Sequence, residues 1–255
     1  MNTAHSAQND ASRGSRSLAD VHRQRAQLAW ILGFLASVWV VSDAGYYLLL
    51  PMLGIKASYN ASPVAIAIYY GLWAAIALVA FWRVYRTWWT SYENRLSTYV
   101  LVSLAFAVLL LFPGYALPLL PPINWAEPWR PPEVVFATPW YFFPKSIEIL
   151  FQQLLITAMV IALSDRQWRL WTISLASATL FGGAHVLVVL DTVPAVYVVR
   201  LMTLGAAFGL VFPYLILRVR DGLAYSYLTH WCYYALTVIM AHMFYTPNAT
   251  VGAGA

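Results

Sequence analysis

Residues 140–164 have the sequence WYFFPKSIEILFQQLLITAMVIALS, an apolar run that contains only two charged side chains, Lys145 and Glu148. At about 1.5 Å of rise per residue, a helix of this length exceeds the roughly 30 Å hydrocarbon core of a bilayer. The stretch therefore predicts a membrane-spanning helix. Because a charge at mid-bilayer costs about 2.5–3.5 kcal/mol on insertion scales, each of the two charges requires a partner or a purpose.

The composition of the whole chain extends this pattern. The 255 residues are 61% hydrophobic and only 10% charged, whereas soluble domains contain about 25% charged residues. This excludes a soluble globular enzyme. The single cysteine, Cys232, excludes an internal disulfide and a cysteine-built zinc site, so a metal would have to be bound by His, Asp or Glu.

A length of about 20 apolar residues per crossing predicts seven membrane-spanning helices. The predicted fold class is therefore all-α, a polytopic transmembrane helix bundle. The predicted spans lie near 27–52, 63–86, 97–120, 140–164, 168–190, 192–219 and 222–246.

The same reading divides the chain into four parts. Residues 1–26 form a polar tail, and 27–139 form an accessory transmembrane half that ends in a Pro- and Trp-rich loop. Proline blocks helix continuation and Trp prefers the headgroup level, so we expect the loop at 121–139 to lie across the outer interface. Residues 140–246 carry most of the polar side chains within spans and form the core bundle, and 247–255 form a short C-terminal tail.

The basic residues predict the orientation. Most Lys and Arg side chains fall in the tail and in the second, fourth and sixth connections between spans, at Arg13, Arg16, Arg23, Arg25, Arg83, Arg86, Arg95, Arg166, Arg169, Arg218 and Arg220. The positive-inside rule then predicts a cytoplasmic N-terminus and an outward C-terminus. The net charge of +5 is explained by this topology and does not indicate a nucleic-acid partner.

Polar residues inside the predicted spans are the candidates for function. They are Asp43, Lys145, Glu148, Gln152, Gln153, His185, Arg200, His230 and His242. Glu148 and Gln152 are four residues apart and therefore share one helix face. Lys145 and Glu148 form either an ion pair that offsets its own burial or, in the functional interpretation, a site whose carboxylate activates water.

Two histidines accompany this carboxylate. His185 follows the small residues of Phe181-Gly182-Gly183-Ala184, which let a neighbouring backbone approach closely. His185 and His230 are either hydrogen-bonded core histidines or members of a site. Counting the rise per residue from the span ends places Glu148, His185 and His230 at depths that helix tilt can reconcile, so we expect them to meet in one buried cavity.

At these residues the sequence resembles the CAAX protease and bacteriocin-processing (CPBP, also called ABI) family of intramembrane endopeptidases. Residues 146–153, SIEILFQQ, resemble the family's Glu-Glu-x-x-x-Arg helix, and Phe181 to His185 fits its Phe-x-x-x-His element. His230 and Tyr234 occupy the places of the final His-x-x-x-Asn. The resemblance covers roughly residues 140–236.

The register of the first motif stays open. In one register Glu148 is the second glutamate, Ile147 replaces the first, and Gln152 replaces the arginine. In the other register Glu148 is the first glutamate, Ile149 replaces the second, and Gln153 replaces the arginine. Neighbouring helix positions point about 100° apart, so one residue cannot serve both roles.

The resemblance implies an intramembrane endopeptidase that cleaves a membrane-associated peptide or protein. Glu148 would activate water, with His185, His230, Tyr234 and Gln152 in supporting roles. Tyr234 stands where the family has an oxyanion-stabilising Asn, and its phenol can donate one such hydrogen bond. Glu148, His185 and His230 would be the ligands of zinc or another divalent metal.

The implied location is a bacterial cell membrane, which the chain crosses several times. The main alternative is a catalytically inactive relative that keeps the fold and acts as a scaffold or binds a membrane partner. A third hypothesis makes His185 and His230 axial haem ligands. A fourth makes Asp43 and Glu148 a proton path in a transporter.

Overall fold

The computed structural model describes residues 18–89, 96–125, 131–191 and 193–245. Four segments with predictions attached lie outside these residues: 1–17 of the polar tail, 90–95 with Arg95 of the second connection, 126–130 of the Pro- and Trp-rich loop, and the C-terminal tail at 247–255. The described part of the chain is all-α, without a strand.

Eight helices of eight residues or more are formed by the described residues. They are α1 (Leu18–Ala44), α2 (Pro63–Ala80), α3 (Trp82–Trp89), α4 (Leu96–Leu111), α5 (Phe142–Ser164), α6 (Leu170–Ala184), α7 (Ala195–Arg218) and α8 (Gly222–Phe244). A π-helical turn, Gly45–Leu49, and a short α-helical turn, Leu50–Met52, extend α1, and α6 is extended by a 3₁₀ segment, His185–Asp191. Two short 3₁₀ turns, Glu133–Phe136 and Pro139–Tyr141, precede α5.

Within the described residues, six helical segments are long and apolar enough to cross a membrane, and they correspond to the first six predicted spans. They are Leu28–Met52, Pro63–Ala80, Leu96–Leu119, Pro139–Ser164, Leu170–Leu190 and Ala195–Arg218. The seventh predicted span is a helix, α8, but does not belong to this set. The chain is therefore compatible with a multi-pass integral membrane protein.

The first helix begins earlier than the hydropathy pattern predicts. The apolar run starts near residue 27, but α1 starts at Leu18. Arg, Gln, Leu and Ala, which dominate residues 22–28, are good helix formers, so polar sequence continues the helix beyond the apolar segment. The predicted boundary therefore marks a change in hydropathy rather than the beginning of the helix.

Helix α5 is the centre of the bundle. In its apolar segment 83% of the residues are buried, against 11–33% in the other five spans. Helix α8 is tied to it by two hydrogen bonds to Ser146: Trp231 Nε1 donates to Ser146 Oγ at 3.0 Å, and the Tyr227 hydroxyl donates to Ser146 O at 3.1 Å. The side chains of α5 therefore face neighbouring helices on nearly every side.

Helices α6 and α7 pack with their backbones in close contact, as the small residues before His185 suggest. A Cβ atom at Gly182 would lie 2.9 Å from the Ala206 Cβ, and one at Gly209 would lie 2.5 Å from the Ala178 Cα. Only glycine leaves room for this approach. The tight packing fixes the end of α6, and therefore the position of His185, against α7.

Candidate functional site

A cavity of about 380 Å³ lies within the bundle, at the end where α5 begins. Helices α1, α5, α7 and α8 and the segment Glu133–Val135 contribute to its wall, together with His185 at the end of α6. Its charged and polar lining consists of Asp43, Glu133, Lys145, Glu148, Gln152, His185, Arg200, Thr237 and several tyrosines. Of the five predicted site residues, Glu148, Gln152, His185 and Tyr234 line this cavity, and His230 does not.

Glu148 accepts three hydrogen bonds within this cavity. Its Oε2 accepts hydrogen bonds from Lys145 Nζ at 2.6 Å and from the Tyr59 hydroxyl at 2.7 Å. Its Oε1 accepts one from Gln152 Nε2 at 3.0 Å. A carboxylate has about four lone-pair sites, so three protein donors leave about one for a water molecule or a substrate.

Lys145 lies between two aromatic rings. Its ammonium is 4.5 Å from the centroid of Tyr59 and 4.4 Å from that of Tyr234. The face of a tyrosine ring attracts a cation, and both rings add to the ion pair with Glu148. The geometry matches the interpretation of Lys145 and Glu148 as an i,i+3 pair, and both residues are only 6% exposed.

Gln152 presents an unused acceptor. Its Nε2 donates to the Glu148 carboxylate, which only accepts, so the amide orientation is determined. The Oε1 of Gln152 is buried and has no hydrogen-bond partner among the described residues. A buried carbonyl oxygen without a partner is costly, and a donor from the cavity, either water or a substrate N–H, would satisfy it.

His185 is oriented by its own helix. Its Nδ1 lies 2.6 Å from the Phe181 carbonyl oxygen, which accepts only, so Nδ1 carries the proton and donates. In the neutral ring Nε2 then keeps its lone pair. Helix α7 also packs against this ring, because a Cβ at Gly205 would lie 2.8 Å from Nδ1.

His230 has a different environment. It is 2% exposed and its ring contacts Phe181, Phe208, Phe212 and Tyr234, at centroid distances between 5.4 and 6.2 Å. Gln153 Nε2 lies 3.4 Å from its Nδ1. The expectation that Glu148, His185 and His230 all face one cavity is therefore not met at His230.

The predicted metal ligands do not form one cluster. Among the residues that the structure describes, no three His, Cys, Asp or Glu side chains come together to hold a metal ion. The Glu148 oxygens already accept from Lys145, Tyr59 and Gln152. As Glu148, His185 and His230 lie in the structure, they do not fit a zinc ion. A bound metal stays a prediction from the sequence.

The positions of the two histidines also bear on the haem hypothesis. Two axial ligands must face one cofactor from opposite sides. His185 lines the cavity and His230 does not. The buried Phe181 ring instead contacts both imidazoles, with centroid distances of 5.0 and 5.4 Å.

Two residues that line the cavity, Tyr59 and Glu133, were missed by the sequence reasoning. Tyr59, in the connection between the first two spans, reaches Glu148 and is 8% exposed. Burial and the neighbouring Glu148 charge raise the pKa of the Tyr59 phenol well above its usual value, so it stays a donor. Glu133 is a charge in the Pro- and Trp-rich loop, where a solvated carboxylate needs no partner, and no motif identifies either residue.

Asp43 and Arg200 were noted as charges within spans, and both line the cavity. Asp43 lies within electrostatic range of Glu148 and Lys145. Arg200 approaches the cavity from α7. The cavity therefore collects charges from both predicted halves of the chain, not only from the core bundle.

Comparisons with known proteins add no relative. No family model, no curated protein and no solved structure matches this chain.

Proposed function

We propose that this chain is an intramembrane endopeptidase of the CPBP type, in which Glu148 activates the attacking water. The observation that carries the proposal is a buried carboxylate on the wall of a polar cavity inside an apolar helix bundle. Hydrolysis within a membrane requires water held away from lipid, and polar side chains around a cavity provide such a place.

The proposed first step is a proton transfer from water to Glu148. The Glu148 carboxylate has about one unused lone-pair site, and the unpaired Gln152 Oε1 offers a second acceptor for the same water. The resulting hydroxide attacks the carbonyl carbon of a peptide bond bound in the cavity. Glu148 then returns the proton to the leaving amine, so one water and one peptide bond give a carboxylate and an amine.

The negative charge on the carbonyl oxygen requires hydrogen-bond donors or cations during this step. The Tyr234 phenol lines the cavity, with the Lys145 ammonium against its ring. His185 contributes an imidazole whose Nδ1 is fixed by the Phe181 carbonyl. We assign Tyr234 to the oxyanion and His185 to orienting the substrate, and we assign no step to His230 or to a metal.

We also propose the finer topology: seven spans, including α8, in a bacterial cell membrane with the N-terminus in the cytoplasm. The support is the distribution of basic residues and the 23-residue length of α8. The cavity then opens near the outer face, so the substrate is a membrane-associated peptide or protein reached from that side or through the bilayer. Alkaline phosphatase fused after Tyr245 should be active, and a fusion after Arg220 should be inactive.

The test compares new protein N-termini in cells that express the wild-type chain or a variant. Glu148→Gln removes the proposed base, and we expect the cleavage products to disappear. Asp165→Asn is the matched control, because it removes a carboxylate at the exposed end of the same helix. Products that persist in Glu148→Gln at equal expression would refute the proposed function.

A second candidate is an inactive relative that binds a membrane partner in this cavity. It is favoured by the three protein donors on Glu148, which are typical of a structural charge centre. For such a protein neither Glu148→Gln nor Tyr234→Phe changes the set of protein N-termini. Cross-linking through a photoreactive residue placed at Val134, on the cavity wall, would instead recover the same partner from wild type and Glu148→Gln.

A further inference from the structure

The connection between the first two spans is joined to the outer loop by one carboxylate. Glu133 Oε1 accepts from Ser58 Oγ at 2.7 Å and from the Asn60 backbone N–H at 2.7 Å. Its Oε2 accepts from the Tyr59 backbone N–H at 3.0 Å. Three donors from consecutive residues converge on one side chain, and we call this group the Glu133 network.

Asn60 adds a second attachment between the same two segments. Its Oδ1 accepts from the Thr138 backbone N–H at 2.9 Å and from Thr138 Oγ1 at 2.8 Å. Its Nδ2 donates to the Phe136 carbonyl oxygen at 3.2 Å. Both the carbonyl oxygen and the NH₂ group of the Asn60 side chain therefore help to hold residues 58–60 against residues 133–138.

Tyr59 connects this network to the candidate site. Its backbone N–H is bound by Glu133, and its phenol donates to Glu148 at 2.7 Å. The phenol ring also forms one side of the aromatic contact with the Lys145 ammonium. One residue thus connects the Glu133 and Glu148 carboxylates, both of which line the cavity.

We infer that Glu133 is a positioning residue, which holds the 58–60 backbone so that the Tyr59 phenol stays bound to Glu148. This inference rests on the proposed function for its catalytic meaning, because the group being positioned is the proposed base. Residues 53–62 lie between two spans and contain little regular structure. Without Glu133 the Tyr59 backbone N–H would lose its hydrogen-bond acceptor. The Tyr59 phenol would then be free to turn away from the Glu148 carboxylate.

Substitutions at Glu133 separate charge from shape. Glu133→Gln keeps the length of the side chain but presents an NH₂ group to one of the donors, so the network cannot close. Glu133→Asp keeps both carboxylate oxygens but places them one methylene further from the donors. We therefore expect it to keep part of the network that Glu133→Gln loses. Ser58→Ala removes one donor to Glu133 without touching Tyr59 and is the matched control.

The test is a double-mutant cycle in the thermal unfolding of the purified full chain in lipid nanodiscs. Groups in one hydrogen-bond network give non-additive effects, whereas independent groups give additive ones. We expect Glu133→Gln combined with Glu148→Gln to lower Tm by clearly less than the sum of the two single shifts. In the Tyr59→Phe background this non-additivity should vanish, because the connecting phenol is gone.

Two results would overturn the inference: additive Tm shifts in the presence of Tyr59, or equal non-additivity in the Tyr59→Phe background. If Glu133→Gln does not fold, Glu133→Asp is carried through the same cycle, with a smaller non-additivity expected. The cycle needs no substrate, so its outcome is independent of the peptidase. For an active enzyme we further expect Glu133→Gln to lower kcat several-fold with KM little changed, and Ser58→Ala to have a smaller effect.

Discussion

Helix α5 and the span Leu96–Leu119 have similar hydropathy and very different surroundings. Their mean hydropathies are 1.9 and 2.3, but 83% of the residues are buried in the apolar segment of α5 and only 11% in that of Leu96–Leu119. The difference lies in a few polar residues, since α5 contains Lys145, Glu148, Gln152, Gln153 and Thr157, all buried. Average hydropathy identifies a span, whereas the polar residues within it identify the helix at the centre of the bundle.

The largest expected effect is the loss of one partner of the buried pair in α5. Glu148→Ala leaves the Lys145 ammonium buried without its counter-charge, and we expect a loss of about 3–5 kcal/mol in the free energy of unfolding. The double variant Lys145→Met/Glu148→Leu should recover most of it, since an apolar pair of similar volume avoids the buried charge. Denaturant unfolding in mixed micelles measures both.

A Glu148→Ala variant as stable as the wild type would show that the pair is not buried as described. It would also remove the contrast between α5 and the peripheral span.

The second effect compares leucines in the two helices. Leu155, in α5, is fully buried, and Leu104, in α4, is 60% exposed. We expect Leu155→Ala to lower the free energy of unfolding by about 2–5 kcal/mol. Leu104→Ala should change it by no more than about 0.5 kcal/mol. The same unfolding measurement applies, and equal losses at the two positions would contradict the central placement of α5.

The smallest effect uses two glycines within helices. Gly209 faces the Ala178 backbone, whereas a Cβ at Gly71, in α2, meets nothing within 4 Å. Gly209→Ala forces α6 and α7 apart, and we expect it to lower the free energy of unfolding by about 1–3 kcal/mol. Gly71→Ala should instead raise the free energy of unfolding by roughly 0.5–1 kcal/mol, because alanine restricts the unfolded chain and favours a helix. A gain at both positions would contradict the close approach of α6 and α7.

Much of the fold could be predicted from the sequence, because a bilayer imposes a length and an apolar composition on each span. The six spans and the close packing before His185 follow from these constraints. The start of α1 at Leu18 does not, because it depends on helix propensity in a polar segment. The status of α8 as a span was predicted by length, but its composition includes Ser226, Thr229 and two histidines.

The candidate site could be predicted only in part. Charged and titratable residues within spans are conspicuous, so Glu148, Lys145, Asp43 and His185 could be identified as candidates. The depth of His230 was estimated from its place along the helix, which does not say towards which neighbours the ring points. It points into an aromatic cluster with Phe181, Phe208 and Phe212.

Tyr59 and Glu133 could not be found in this way, because they lie in connections where polar residues are ordinary. Their role depends on contacts between segments more than seventy positions apart in the chain. Hydropathy and helix periodicity carry no information about such contacts. The register of the first motif is likewise unresolved by spacing, although the hydrogen bond from Gln152 to Glu148 pairs these two residues directly.

The central claim is that Glu148 activates a water molecule for peptide hydrolysis, and oxygen isotope incorporation tests it most directly. The purified chain in liposomes is incubated with a substrate found by the N-terminus comparison, in water enriched in ¹⁸O. Mass spectrometry should detect one ¹⁸O atom in the new carboxyl terminus with wild type and Asp165→Asn, and no product with Glu148→Gln. Equal ¹⁸O-labelled product from Glu148→Gln would contradict the account.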